Sequence, residues 1–445
     1  MSPNPRPVRD RFLDLADWLT RRAHAGELVT AYLRGEDSDF VRITGARVRQ
    51  AGRVTERELT VTLTAGARQA SATLDLGGVL DEDRARVGET LTHLRASLPH
   101  LLDDPLLNLP GVVEDTEQPD PGETVDSHAA LRALLGAAGG LDLVGLWAAG
   151  PVYAGFASST GQRNWFQRSS FHLDFSCHLG TGRAVKARHA GTHWDAEAVA
   201  AQMEQVRADL ARLEPTPREL APGPYRAYLG PAALRELLAV LAWGGFSLKA
   251  WRTRQTPLLR LVDGDRRLHP MLTLREDNRA SLAPRFSREG FVVPPAVTLV
   301  DHGTAGESLA AARSAREYGL AVNAVQETPR ALALEPGDLA ADGALSALGT
   351  GLYLSNLWYC NLSDRNDCRI TGMTRYASFW VEDGRVVAPL APMRFDESLY
   401  HTLGDRLLAL TRERELIPDE STYEGRSTAT MCLPGALCED FRLTL

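Results

Sequence analysis

Hydrophobic and polar positions follow two different periods along the first hundred residues. Arg9 to Ala25 places apolar side chains three or four residues apart, which predicts an amphipathic helix. From Leu28 to Leu76 apolar and polar positions alternate, which predicts an antiparallel meander. Its turns are expected at the Gly-Glu-Asp-Ser-Asp stretch of 35–39, at Ala-Gly of 51–52 and at 65–67. Helical spacing returns from Asp81 to Leu98.

The same plan occurs again further along the chain. Ser127 to Leu135 is predicted to be a helix with Ser127 as its N-cap, and Trp194 to Leu213 a second, strongly patterned helix. Between them, Leu141 to Phe156 and Trp165 to Cys177 have the pattern of strands. Helix, strands and helix therefore occur twice, which suggests a duplicated α/β motif, although no residue-level repeat accompanies it.

Proline-rich stretches divide the chain. Residues 103–125 carry prolines and acidic residues without periodicity and predict a surface connection, while the prolines between 215 and 224 mark a shift in composition. We therefore expect an N-terminal α/β region over 1–220, made of units at about 1–105 and 125–215, and a C-terminal domain over 221–445. Together they predict an α+β fold.

The C-terminal domain is expected to be mixed but rich in antiparallel strands. Pro231 to Trp243 is predicted to be a helix that begins at a proline and is apolar on nearly every side from Leu237 onward. The stretch 349–390 predicts a β-meander, with Asp383-Gly384 as a type I′ hairpin turn. Pro434-Gly435 is expected to form another turn.

Composition and charge restrict the function. The 445 residues carry a formal net charge of −8 and no basic run interleaved with aromatics, so nucleic acid is not expected as a partner. The five scattered cysteines indicate neither a disulfide framework nor a zinc finger. The N-terminus lacks the apolar core of a signal peptide, and no apolar run is long enough to span a bilayer. A soluble, cytoplasmic protein without membrane contact is expected.

The sequence offers few candidates for catalysis. His189 and His193 are four residues apart, a zinc-binding spacing on a helix, but Gly191 and Thr192 between them are poor helix formers. Cys360 is a candidate nucleophile only if a histidine distant in sequence, such as His302 or His401, lies beside it. A buried structural cysteine is the more common outcome.

Two C-terminal segments carry a family resemblance. The stretch from Leu348, LGTGLYLSNLWYCNLSDRNDCRITG, and the end of the chain, STYEGRSTATMCLPGALCEDFRLTL, resemble the TldD/PmbA family, also called modulators of DNA gyrase. The family has two kinds of subunit. The resemblance implies that TldD-type chains bind zinc through an HExxxH helix, whereas PmbA-type chains, also called TldE, lack that motif.

The resemblance identifies this chain as the PmbA/TldE type. An approximate alignment puts Ala239 and Gly244 at the metal positions of the helix and Val240 at the position of the catalytic base. It therefore implies no catalytic residue and no bound metal here, with zinc held by a TldD-type partner in a peptidase heterodimer; a homodimer is the alternative assembly. Small unfolded proteins or modified peptides are the implied substrates.

An extended peptide is expected to align along strand edges of this chain by main-chain hydrogen bonds. The polar side chains expected to face the peptide or cavity come from one stretch: Asn356, Tyr359, Asn361, Asp364, Arg365 and Arg375. Two other functions stay open. One is an independent hydrolase that uses Cys360 or the His189/His193 pair, and the other is a regulatory binding protein linked to gyrase or to toxin-antitoxin control.

Overall fold

Two large β-sheets with helices packed on them form the structure, a computed structural model that describes residues 7–119, 124–279, 281–423 and 425–444. The predicted α+β fold is confirmed. Residues 1–6, part of the N-terminus in which no signal peptide is expected, lie outside the described residues. Residues 120–123, part of the surface connection predicted over 103–125, also lie outside them. None of the helices in the described part combines the length and apolar character needed to cross a membrane.

The first sheet has seven strands. The elements of this region are α1 (Val8–Thr20), β1 (Glu27–Thr44), β2 (Arg47–Ala65), β3 (Arg68–Asp75), α2 (Leu80–Ser97), β4 (Thr116–Gln118), α3 (Ser127–Ala137), β5 (Asp142–Ser158), β6 (Arg163–His178), β7 (Ala184–Gly191) and α4 (Ala196–Leu213). The strand order is β3-β2-β1-β5-β6-β4, and β7 also pairs with β6. Leu98–His100 adds a 3₁₀ turn after α2.

The predicted repetition of helix, strands and helix is confirmed in this element order. The two units join because β1 pairs antiparallel with β5, from Thr30 opposite Ser158 to Ile43 opposite Gly145. The first unit packs α1 and α2 on its strands around Leu19, Leu33 and Leu91. Helices α3 and α4 of the second unit pack on a separate apolar core, which Val41 of β1 and Phe379 of the C-terminal region also enter.

The turns predicted at 35–39 and 51–52 are wrong, because β1 and β2 run through them. The chain instead reverses at Gly45 and Ala46, whose φ angles of 58° and 53° suit a two-residue hairpin. The polar residues inside β1 have distant partners: Asp37 accepts a hydrogen bond of 2.6 Å from Arg57.

The N-cap predicted for α3 is also wrong by one residue. Asp126 caps the helix by accepting from the backbone N–H groups of His128 and Ala129 at 2.9 and 3.1 Å. Ser127 is the first helical residue, and its hydroxyl accepts a hydrogen bond from the indole of Trp147 at 3.2 Å.

The second sheet has eleven strands. Its region comprises β8 (Gly223–Leu229), α5 (Pro231–Ala242), α6 (Leu248–Arg252), α7 (Leu259–Val262), β9 (Leu274–Asp277), β10 (Ala296–Asp301), β11 (Thr304–Ala305), α8 (Ala312–Tyr318), β12 (Ala331–Leu334), α9 (Ala344–Leu348), β13 (Gly351–Asp364), β14 (Arg369–Glu382), β15 (Arg385–Pro389), β16 (Arg394–Ser398), β17 (Leu407–Pro418) and β18 (Thr430–Leu443). Strand β18 pairs with four others, β8, β12, β16 and β17. Short helical turns occupy Ala341–Gly343 and His401–Asp405.

The predicted meander of 349–390 forms β13, β14 and β15. Asp383 and Gly384 have φ angles of 48° and 74°, as the predicted hairpin turn requires. The turn predicted at Pro434-Gly435 is wrong, because both residues lie inside β18. A Cβ atom on Gly435 would collide with the ring of Tyr228, so close packing explains this glycine.

One arginine from the segment between β17 and β18 is inserted into the first sheet. Arg426 is only 8% exposed, and its guanidinium donates to the carbonyl oxygens of Gly150 on β5 and Ser170 on β6, the latter at 2.9 Å. Its backbone N–H donates to the buried carboxylate of Glu36 on β1 at 3.0 Å. The C-terminal region is thereby fixed to three strands that belong to both N-terminal units.

Replacing Arg426 by methionine is expected to destabilise the protein. Two main-chain carbonyls would lose their donor and buried Glu36 would lose its nearby positive charge, a kind of loss that typically costs about 3–5 kcal/mol. Urea unfolding of the Arg426→Met variant measures the change. Arg49→Met, an exposed site on β2, is the control and should shift stability by less than about 0.5 kcal/mol. Equal stability of the two variants would contradict the role given to Arg426.

Candidate functional site

Helix α5 is the element on which the resemblance places the family's metal site. It begins at Pro231 after Gly230 and is anchored in the core by Leu237, Leu238 and Leu241, each 2% exposed. Ala239 and Val240 are half-buried, and Val240 also packs against this core. Neither side chain has an atom that can ligate a metal or transfer a proton.

The predicted end of this helix is wrong. The helix stops at Ala242, and Gly244 lies beyond it with φ of 87°, a backbone conformation that ends an α-helix. Trp243, at the junction, is 83% exposed. Of the three positions assigned to the family's metal site, only Ala239 and Val240 therefore lie on the helix.

Two charged residues on α5 were missed by sequence reasoning. Arg235 and Glu236 form a half-buried ion pair with a distance of 2.7 Å between Nη1 and Oε1. Their signal in the sequence is a pair of adjacent charges in a helix that is otherwise apolar. Burial, with a smaller contribution from Glu236, raises the pKa of Cys360 to about 12, so its thiol is held in the neutral form.

A cleft of about 470 Å³ lies between the two sheets, where α5 begins. Strand β7 and helix α4 form one wall, and the start of α5 with parts of β13, β14 and β17 forms the other. Polar side chains face it from both walls, among them Arg188, Gln202, Ser355, Asn356 and Glu415. This space is called the cleft below.

Ion pairs connect the β7 wall to the segment that follows β17. Lys186 lies 3.1 Å from Asp174 and 3.3 Å from Glu420, and Arg188 lies 2.8 Å from Glu420. Burial raises the pKa of Asp174. Burial acts in the same direction on Glu420, but the two cations outweigh it and lower the pKa of that carboxyl. Glu420 is thus held as a carboxylate between two cations.

The His189/His193 pair does not form a metal site. His189 lies on β7, where its ring packs 5.5 Å from the rings of both Phe171 and Trp194, and burial lowers its pKa. His193 is exposed in the turn that follows. In the part of the chain that the structure describes, no group of three or more His, Cys, Asp or Glu side chains is arranged to hold a metal ion.

Cys360 packs on the apolar core of the second sheet and beside Gly372. The two histidines considered as its partners have other neighbours: His302 is paired with Asp301 at 2.8 Å, and His401 lies 3.1 Å from Glu397. The environment of Cys360 is that of a structural thiol.

Asn356 is the predicted residue that lines the cleft. It is 7% exposed, and its Oδ1 accepts a hydrogen bond of 2.8 Å from the hydroxyl of Ser355. The other predicted residues lie further along the β13–β14 hairpin. At its tip Asp364 accepts from the backbone of Asn366 at 2.9 Å, and Arg365 donates to the carbonyl of Gln255 at 2.7 Å.

Tyr359, Asn361 and Arg375 come together on one part of this hairpin. Arg375 stacks over the ring of Trp358 at 4.1 Å, and Asn361 donates to the carbonyl of Tyr359 at 3.4 Å. Tyr359 is 72% exposed and has φ of 56°, an unusual conformation for a bulky residue. Trp358, Tyr359 and Met373 form an exposed apolar surface, called the hairpin face below.

The hairpin face borders a strand edge. Strand β8 pairs with β13 only at 352–354, and beyond Asn356 the described partner of β13 is β14 alone. No described strand pairs with the other edge of β13 beyond Asn356, although helix α5 packs against this strand.

The overall fold of this α+β chain matches solved structures. The fold matches TldE from Thermococcus kodakarensis with a TM-score of 0.75 at 14% identity, covering 98% of this chain and 100% of that one. It also matches a protein proposed to modulate a DNA gyrase from Thermotoga maritima, with a TM-score of 0.74 at 12% identity and coverage of 97% and 100%. A similar proposed modulator of DNA gyrase from Bacteroides thetaiotaomicron gives 0.70 at 15% identity and 98% coverage of both chains.

The family is defined by a sequence model. Residues 222–444 match the model of the PmbA/TldA metallopeptidase C-terminal domain, which covers half of the chain. Comparison with curated proteins gave no match. The chain belongs to the TldD/PmbA family.

The thiol of Cys360 is expected to resist alkylation in the folded protein. A pKa near 12 leaves a negligible fraction as thiolate at pH 8, and that fraction should rise only as the pH approaches 12. Iodoacetamide treatment at pH 8 followed by peptide mass spectrometry measures the modification. A urea-unfolded sample is the control and should be labelled fully. Rapid labelling of native Cys360 would reveal an activated nucleophile and contradict the structural role.

Proposed function

We propose that this chain is the non-catalytic partner subunit of a zinc-dependent peptidase of the TldD/TldE type. The observation that carries the proposal is the chemistry of α5, which presents Ala239 and Val240 where the resemblance places a zinc ligand and the catalytic base. On this proposal the TldD-type subunit holds the zinc. This chain encloses the catalytic centre and helps to position small unfolded proteins or modified peptides.

The hairpin face supports a role in binding. Exposed apolar residues beside a strand edge that has no described strand partner suit a peptide that adds a strand, or the surface of a partner subunit. A peptide held by main-chain hydrogen bonds needs few side-chain contacts, which suits substrates of varied sequence. The same face is available to a second copy of this chain where a homodimer forms.

The independent hydrolase has weaker support. Cys360 is a neutral thiol, and His189 is packed among aromatic rings rather than beside a second ligand. A regulatory role that requires duplex DNA is opposed by the formal net charge of −8. The partner subunit is therefore the function that the site supports best.

Zinc content and activity test the proposal directly. The purified chain alone is expected to contain far less than one zinc per chain and to show no chelator-sensitive peptidase activity. Co-expression with a TldD-type chain should give a complex that co-purifies and hydrolyses unfolded peptide in a zinc-dependent reaction. Cys360→Ser should leave the activity of that complex unchanged. Stoichiometric zinc and chelator-sensitive hydrolysis by this chain alone would overturn the proposal.

The hairpin face gives a second test. Tyr359→Asn removes the aromatic ring while keeping a residue that tolerates positive φ, so the hairpin should remain folded. Loss of an exposed aromatic anchor is expected to lower the kcat/KM of the assembled peptidase by about tenfold or more. Val387→Asn is the control, since Val387 is also exposed, at 53%, but lies on β15. Equal kcat/KM values for the two variants would show that the hairpin face is not part of the binding surface.

A further inference from the structure

Arg188 in the wall of the cleft has more hydrogen-bond donors than acceptors around it. Its side chain is 8% exposed, and its Nη2 donates to Glu420 at 2.8 Å. Nε and Nη1 have no hydrogen-bond partner, although both are shielded from bulk water. A buried guanidinium that is only partly satisfied costs stability unless another group completes it. An anionic group that contacted those nitrogens would complete the hydrogen bonding of this guanidinium.

Gln202 on α4 has the complementary deficiency. Its amide nitrogen donates to the carbonyl oxygen of Arg188 at 2.8 Å, which fixes the orientation of the side-chain amide. Its Oε1 atom is buried and has no donor. Unused donors and an unused acceptor thus occur on adjacent side chains that both line the cleft.

The opposite wall favours negative charge. Helix α5 has 12 residues, and Gly230, Pro231 and Ala232 at its start line the cleft. No side chain caps this helix, so its first-turn N–H groups and its dipole present partial positive charge to the cleft. Arg188 and the helix start therefore favour an anion in the same space.

We infer that the cleft binds the C-terminal carboxylate of an extended peptide. The carboxylate accepts hydrogen bonds from Arg188, and the N–H of the same terminal residue donates to Oε1 of Gln202. This combination of an anion and an adjacent N–H is what the two unsatisfied side chains require. The inference rests on the proposed function for the identity of the ligand, because it concerns the peptide that the subunit would position.

Two acidic residues that also line the cleft are compatible with this ligand. Asp209 is paired with Arg212 at 2.8 Å, so its charge is compensated. Burial raises the pKa of Glu415 and outweighs the opposing effect of the Arg188 charge, which weakens the repulsion of an incoming carboxylate. Neither carboxyl group therefore prevents an anion from binding between Arg188 and the start of α5.

Peptide binding to the full chain alone tests the inference. The probes are fluorescein-labelled Gly-Ala-Ala-Ala-Ala with a free C-terminus and the same peptide as its C-terminal amide, compared by fluorescence anisotropy. We expect the free acid to bind about tenfold or more tightly, because a charge-assisted contact is lost in the amide. A third probe, Gly-Ala-Asp-Ala-Ala-amide, carries its carboxylate on a side chain and should bind like the amide.

Two variants locate the site, and a third serves as a control. Arg188→Gln should abolish the preference for the free acid, whereas Arg183→Gln, which removes an arginine bonded to the carbonyls of Glu214 and Pro215, should retain it. Ala232→Leu adds bulk to the lining of the cleft at a residue outside the ion pairs, and it should weaken binding of both simple peptides. The melting temperature of each variant shows whether it is folded. If Arg188→Gln does not fold, binding to Ala232→Leu tests whether the peptide occupies the cleft.

Several results would overturn the inference. They are equal binding of the acid and the amide to the wild-type chain, a preference for the acid that survives Arg188→Gln, and wild-type affinity in a folded Ala232→Leu variant. If the Asp-containing amide binds as well as the free acid, the ligand is a side-chain carboxylate and the terminal assignment is wrong. The assay contains neither zinc nor a partner, so its outcome is separate from that of the peptidase test.

Discussion

Burial of one cation constrains the arrangement of the two sheets. Because Arg426 is 8% exposed, its guanidinium needs acceptors in a fixed geometry, and main-chain carbonyls of Gly150 and Ser170 provide them. Those carbonyls belong to adjacent strands of the first sheet, and the N–H of Arg426 binds Glu36 on a third. Main-chain acceptors cannot move without disturbing the sheet, so the C-terminal region has little freedom to shift against it.

The same segment also sets the wall of the cleft. A few residues before Arg426, Glu420 is held by Lys186 and Arg188 on β7. Glu420 takes part of the hydrogen-bonding capacity of Arg188 and leaves Nε and Nη1 without acceptors. The contact that joins the two regions therefore also creates the unsatisfied group that faces the cleft. Structural and binding roles are linked through one carboxylate.

Local features were predictable from the sequence, and features with distant partners were not. The Asp383-Gly384 turn and the start of α5 at Pro231 depend on backbone preferences of single residues, and both were predicted correctly. The false turn at 35–39 arose because Asp37 is polar inside a strand; its partner Arg57 lies 20 residues away. Long-range satisfaction of polar groups overrode the local turn signal.

The candidate site follows the same rule. Asn356 was singled out because it belongs to a dense local pattern of polar residues, and the structure places it in the lining of the cleft. Arg188 and Glu420 are 232 residues apart and carry no joint signal in the sequence.

In helix α5, the residues that fix the position of the helix differ from those at the positions assigned to the family's metal site. The helix is held by Leu237, Leu238 and Leu241 on its buried side, while Ala239 and Val240 are half-buried and Val240 also packs against the core. The three leucines determine where the helix lies, so the position of the helix does not depend on ligating groups at Ala239 and Val240. On the proposed function, a subunit without its own metal chemistry can therefore keep the walls of a substrate-binding space.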